Sequence, residues 1–409
     1  MNTIITRLAW KNIWRNKVRS GVILGAIALG LFSGTYIDAF MNGWIVGTVN
    51  RDVDTHLAHI QIHDTAFLAN ADINAFFLRP AVSEKIEASG LPVSVSYRLI
   101  LQGMLASANN AVGVTVKGVF PEEEKAVSSI GKEIPDTLGV FFPDNARTPV
   151  VVSKKIAEKL KVKLKSKIVF TFQDVRGEMQ SLAFRVCGIY KTTNGAFDEG
   201  TIFVRYDDIF PYTGLPESAV HEAGIKTADL EACETIAPQL KNLFPGMSVR
   251  DWIEINPMLS MLLAWMDFFG IIIIGIFLLA LSFGIINTML MAVLERTREL
   301  GMLGAIGMTK GRLFRMIMQE TVFLTVLGSL VGIALAALVI LPSMKSGIDL
   351  SFLMEDQFED YGFGSVVYPV MNVALFAEIV AMVVLAGILS AIYPAMKALK
   401  LKPLEAIRE

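Results

Sequence analysis

A chain of 409 residues that is 53% hydrophobic is too apolar for an ordinary water-soluble protein, yet its 19% of charged residues is too many for a bare bundle of membrane helices. The two characters must be segregated along the sequence. A formal net charge of −2 says nothing about nucleic acid, and no nucleic-acid partner is expected because topology accounts for the basic residues.

The chain opens on a basic segment. Arg7, Lys11 and Arg15 fall at i, i+4 and i+8, one stripe of a helix over residues 2–16, while Ile4, Ile5, Leu8, Trp10, Ile13 and Trp14 fill much of the remainder. This reads as an amphipathic helix on the inner membrane face, or equally as a basic flank that sets topology. The apolar run at 20–45 is too long for the core of a cleaved signal and no small-residue cleavage site follows it, so a retained anchor is expected. Within it, Gly21/Gly25 and Gly30/Gly34 each have the spacing that lets helix backbones approach closely. At about 100° per residue the two pairs lie on opposite sides, which predicts two packing partners and an oligomer.

Residues 46–258 change character. Alternating apolar and polar positions predict strands at His56–His63, Val93–Ala106, Val112–Val119, Pro149–Val152, Lys167–Gln173, Ser181–Tyr190, Thr201–Arg205 and Gly224–Lys226. Helical patterns occupy Ser153–Lys161 and Ala228–Phe244, giving an α+β domain. Its histidines His56, His59 and His63 would suit a metal only on a helix, and strand alternation divides them between faces, so no metal site is expected. Cys187 and Cys233 both fall in this domain, where a disulfide is permitted without being implied.

Three further apolar runs, 259–293, 313–342 and 370–394, each exceed the roughly 20 residues that a bilayer core requires. Basic residues flank the first run (Arg7 to Arg19), separate the second from the third (Arg296, Arg298, Lys310, Arg312, Arg315) and follow the fourth (Lys397, Lys400, Lys402, Arg408). Asp349, Glu355, Asp356, Glu359 and Asp360 lie between the third and fourth. The positive-inside rule then places both termini and the loop 294–312 in the cytoplasm and exports 46–258. The predicted fold class is a membrane α-helical protein with four transmembrane helices plus an α+β extracytoplasmic domain. Its parts are 1–45, 46–258 and 259–409.

Neither a phosphate-cradling G-x-x-x-x-G-K-[ST] loop, a G-x-S-x-G elbow nor an H-E-x-x-H pair occurs, so no catalytic residues are assigned. Asp267, Asn287, Glu320 and Glu378 are costly inside spans, but they are scattered, two in the second apolar run and one each in the third and fourth, and stand near the ends, which favours packing or snorkelling over ion coupling. The strongest functional signal is ERTRELGMLGAIG, Glu295 to Gly307. Its charges mark a helical surface, and Gly301, Gly304 and Gly307 leave a stripe nearly bare of side chains that another protein's backbone could approach.

These residues carry a resemblance. NTMLMAVLERTRELGMLGAIGMTKGRLFRMIMQE (287–320) and YPAMKALKLKPLEAIRE (393–409) look like the permease domain of the MacB/LolC/FtsX group of ABC transporters. LAWKNIWRNKVRSGVILGAIALG (8–30), FRVCGIYKTTNGAFDEGTIFVRYDDI (184–209) and VRDWIEINPML (249–259) are similar to its lipoprotein-releasing LolC/LolE-like branch. The resemblance implies a type VII, mechanotransmitting permease of the bacterial inner membrane. Two permease subunits, the same chain or a paralogue, would join a cytoplasmic ABC ATPase dimer that holds ATP and Mg. The coupling surface would comprise Glu295, Arg296, Arg298, Glu299, Gly301, Gly304 and Gly307. No cofactor is expected on this chain, whose surroundings would be membrane lipid, a lipoprotein substrate and a periplasmic carrier. An amino-terminus close to the first span and a large exported domain favour that branch. The alternatives are an efflux permease working with a tunnel, and a transducer that regulates a cell-wall hydrolase without moving substrate.

Overall fold

The computed structural model describes residues 2–143, 146–350, 366–371 and 373–399, with the side chains of 2–4, 19, 267 and 373–375 left out. The side chain of Asp267, together with Glu355, Asp356, Glu359, Asp360, Lys400, Lys402 and Arg408, lies outside the described residues. The chain divides into a helical unit (1–45, 263–349, 366–409) and a sheet unit (46–262, 350–365).

Among the described residues four helices are long and apolar enough to cross a membrane: Lys17–Asp52, Pro257–Glu295, Lys310–Ser346 and Val373–Leu399, spans one to four. Two further helices belong to this unit, Asn2–Arg15 before span one and the short Thr297–Ala305 between spans two and three. The amino-terminal helix buries Ile5, Ala9 and Ile13, one residue per turn, in the core of the helical unit. Leu8, Trp10 and Trp14 stay exposed, and Trp10 meets Phe323 of span three edge to face at 5.6 Å.

The two glycine pairs of span one have different surroundings. A Cβ on Gly30 would lie 2.7 Å from the Phe277 ring of span two, whereas none would meet anything within 4 Å at Gly21 or Gly25. Among the described residues, then, only the second pair packs. Spans one and three meet through a pair the sequence reading passed over, Gly328 and Gly332. A Cβ there would come 2.8 Å from the Ile27 side chain and 2.8 Å from the Ala28 carbonyl oxygen. Gly332→Leu is therefore expected to part the two spans at a cost of about 1–3 kcal/mol. Thermal unfolding of the full chain in mild detergent checks this, with unchanged stability contradicting it.

Among the described residues the sheet unit has eleven strands: β1 Ile60–Asp64, β2 Phe77–Leu78, β3 Ser94–Ala106, β4 Ala111–Val119, β5 Pro149–Ser153, β6 Lys167–Gln173, β7 Met179–Tyr190, β8 Thr201–Arg205, β9 Ala219–Val220, β10 Glu222–Lys226 and β11 Met247–Asp251. Nine form one sheet in the order β11-β1-β10-β3-β4-β8-β5-β7-β6, while β2 pairs with β9 separately. The long β3 shares one edge between two partners, β10 along Ser94–Arg98 and β6 along Gly103–Ala106. The second pairing closes β3-β4-β8-β5-β7-β6 on itself, which removes the edges of that half of the sheet. Phe170, Phe172, Phe184, Phe203 and Tyr190 are buried in this unit, and the Tyr190 hydroxyl donates to the Thr201 carbonyl at 2.7 Å.

Helix starts follow local chemistry. Ser153 accepts from the Ile156 amide at 3.0 Å to begin Lys154–Leu160, and Asp229 accepts from the Ala232 amide at 2.8 Å to begin Leu230–Leu243. The strand expected at His56–His63 is shorter than the sequence indicates. A helical turn occupies Val53–Leu57, Ala58 turns the chain with φ 64°, and pairing starts only at Ile60. Cys187 and Cys233 are free thiols.

Candidate functional site

The turn between spans two and three is shaped by three local events. Span two ends at Glu295, Arg296 leaves helical geometry (φ −108°, ψ 18°), and Thr297–Ala305 forms a separate two-turn helix. That helix closes with the Met308 amide donating to the Leu303 carbonyl and the Gly307 amide to the Gly304 carbonyl, with Gly307 at φ 98°. This is a Schellman stop, and its left-handed residue explains glycine at position 307. Span three then begins behind the extended Thr309, whose carbonyl accepts from the Arg312 and Leu313 amides.

The seven residues singled out in sequence do not share one face. Glu295, Arg298 and Gly307 are exposed, Arg296, Glu299 and Gly304 are half-buried, and Gly301 is buried beside Leu300. The expected bare glycine stripe is therefore absent, because Gly301 turns into the core and Gly307 lies past the end of the helix. The outward face instead carries Met302 and Ile306, one turn apart and 47% and 85% exposed. The sequence signal for this pair was apolar residues spaced i, i+4 within a charged loop.

Glu299 belongs to an internal row of charges. It accepts from Arg15 Nη2 at 2.5 and 2.6 Å and from Arg296 Nε at 3.2 Å, and Arg296 Nη1 reaches Glu320 of span three at 3.3 and 3.4 Å. Hydrogen bonding from Arg15, helped by Arg296, holds the Glu299 carboxyl below its usual range. Of the polar span residues, Glu320 is buried, whereas Asn287 and Glu378 are exposed.

In the sheet unit each histidine has its own partners, and no group of three or more metal-ligand side chains forms among the described residues. His59 meets Thr227 Oγ1 at 2.7 Å and Asp54 at 3.3 Å, while His63 meets the His221 carbonyl and Gln61 Oε1, each at 3.0 Å. His56 packs against Phe197 with ring centres 4.5 Å apart and the rings tilted by 31°. Beside His63 lies a buried ion cluster. Arg98 holds Glu124 through two nitrogens at 2.8 Å and pairs with Glu222, which Lys117 approaches at 3.8 Å.

Burial lowers His63 and His221. For Glu222, burial acts upward, but Lys117 and Arg98 outweigh it and hold the carboxyl at about 2. Both effects give stability that acid removes: the histidine part fades as pH falls below about 6.5, and the Glu222 part between about 4.5 and 2. His59 acts in the opposite sense. Burial lowers it, yet Asp54 and Cys233 raise it to about 9, so its contribution is lost as pH rises through that value. Hydrogen exchange of β1 and β10 in the full chain should therefore quicken as pH falls below about 6.5, after correction for intrinsic rates. Flat protection down to pH 4 would contradict the assignment.

Residues 271–403 match the family model for the FtsX-like permease C-terminal domain. A macrolide export ATP-binding/permease protein, MacB of Rhodopirellula baltica, is 30% identical over 162 residues, covering 39% of this chain and 21% of that protein. The chain thus spans about a fifth of that relative's length. The lipoprotein-releasing system transmembrane protein LolC of Neisseria meningitidis serogroup B is 22% identical over 407 residues, covering 95% of this chain and 93% of that one. Among solved structures, the extracellular domain of a noncanonic ABC-type transporter, YknZ from Gram-positive bacteria, gives a TM-score of 0.33 at 14% identity, over 47% of this chain and all of that one.

Proposed function

The chain belongs to the MacB/LolC/FtsX group of ABC transporter permeases, and from that premise we propose that it releases lipoproteins from the outer leaflet of the inner membrane to a periplasmic carrier. The observation that carries this reading is the end-to-end match to a LolC protein, in which both the helical and the sheet unit take part. In this scheme both termini and the tip helix Thr297–Ala305 lie in the cytoplasm and the sheet unit is periplasmic, as the basic and acidic flanks favour. ATP and Mg bind, in this scheme, to a separate ATPase dimer. A second permease subunit completes the membrane part.

Met302 and Ile306 give the ATPase an apolar anchor, and Glu295 and Arg298 give it a polar rim. A stroke there is the only work the protein has to receive; the substrate is drawn from lipid without crossing the membrane. Local identity to MacB favours export of a smaller molecule as the second reading.

Photo-crosslinkers at the exposed Met258 and Met261 of span two separate the two readings. Capture of acylated protein in native membranes is expected. Capture of unacylated partners alone would remove the lipoprotein reading and leave the permease assignment standing.

A further inference from the structure

Residues Lys154 to Lys167 hold seven lysines against a single acid, Glu158. Lys155 and Lys159 reach Glu199 at 3.6 and 3.4 Å. The stretch that follows carries Lys161, Lys163, Lys165 and Lys167, all exposed, and none of these four pairs with a carboxylate among the described residues. Lys161 closes the helix Lys154–Leu160 in the left-handed region, at φ 53° and ψ 44°. Lys165, at φ 66°, is the third residue of a turn that the Ser166 amide closes on the Lys163 carbonyl at 3.0 Å. Glycine or asparagine usually occupies both places, because a larger side chain crowds the backbone there. Lys167 stands directly opposite Arg185 across β6 and β7, and Arg185 Nη1 donates to the Lys165 carbonyl at 3.3 Å. Like charges opposed across a sheet also work against folding. Three local choices therefore cost stability, and each adds positive charge to the same short stretch. Strain kept where glycine would remove it indicates a use for the side chains.

We propose that this basic cluster docks on anionic phospholipid headgroups and so holds the sheet unit against a membrane surface. The occupant follows from what the cluster lacks. Val162 and Leu164 are half-buried, so the stretch has no exposed apolar anchor of the sort that centres a protein interface, from whose core lysine is depleted. Lysine is a point charge on a flexible stem, suited to a layer of phosphates without fixed geometry, and each one near an anionic surface multiplies the attraction about fivefold. The inference rests on the membrane placement given above and is independent of the substrate.

The test embeds the full chain in lipid discs of phosphatidylcholine alone or with phosphatidylglycerol, and offers vesicles of the same two compositions to the neutral discs. Acetylation of Lys161, Lys163, Lys165 and Lys167, read by mass spectrometry, is expected to slow about fivefold wherever phosphatidylglycerol is present and to recover in about 0.5 M salt. Lys125, exposed and paired with Glu122, is the reference and should not change. Lys161→Gly combined with Lys165→Gly removes two charges at positions glycine adopts freely, so the variant should fold at least as well as the wild type while Lys163 and Lys167 lose most of their protection. Equal acetylation in neutral and anionic lipid overturns the proposal, as does full protection in the glycine variant. Protection by inorganic phosphate alone would assign the cluster to a soluble anion, and protection by an added acidic protein alone to a protein partner; either result overturns lipid docking.

Discussion

Aspartate at both Met302 and Ile306 is expected to lower chain-stimulated ATP turnover by about 100-fold, because two apolar anchors at the centre of a docking surface carry most of its binding energy. Both side chains point away from this chain's own core, so the variant should insert and unfold like the wild type. Arg298→Ala, on the rim, should change turnover by only a few-fold. Turnover within about twofold of wild type in the double aspartate variant would place the ATPase contact elsewhere. Charge reversal at Glu299, the natural choice from sequence, is a poorer probe. It would break the Arg15 and Arg296 pairs inside this chain as well as any contact outside it.

Arg98→Met carries the largest stability effect expected in the sheet unit, a loss of about 3–5 kcal/mol. Arg98 is fully buried, and its removal strands the Glu124 carboxylate and leaves Glu222 with Lys117 alone at 3.8 Å. The loss should show as protease sensitivity of 46–262 in the full chain at neutral pH. Replacing Arg98, Glu124, Glu222 and Lys117 together by apolar side chains should recover much of it, since the cost lies in the uncompensated charge rather than in the missing pair. Wild-type resistance in Arg98→Met would mean that the cluster is hydrated and exchangeable.

The four spans were legible because uninterrupted apolar runs leave no other reading, and the long strands because alternation persists through β3, β4, β6 and β7. Closure of the sheet was not. It depends on β3 changing partner near its middle, a register fact that leaves no mark on composition. β11, MSVRD, has one buried residue, Val249, and becomes a strand only by pairing with β1. The helix Arg79–Ser89 has a weak apolar face of Val82 and Ile86, and its clearest local mark is Pro80 at its start.

At the tip, sequence located the segment and misjudged its faces. Glycine spacing of three looks like a stripe on an ideal helix, but the helix ends at Ala305 and one glycine serves the stop. Glu320 was read as a packing or snorkelling residue because its cation lies 24 positions away, across a turn whose geometry no local pattern encodes. Gly328 and Gly332 carried the same spacing as the pairs noticed in span one, and here the signal was present and simply passed over.

The most direct measurement is to purify the full chain from its native membrane in mild detergent and identify every co-purifying protein and lipid-modified species by mass spectrometry. The account predicts a nucleotide-binding ATPase subunit at stoichiometric level, accompanied by acylated proteins. Recovery of the chain without an ATPase would contradict the central claim that this permease is driven from its cytoplasmic tip.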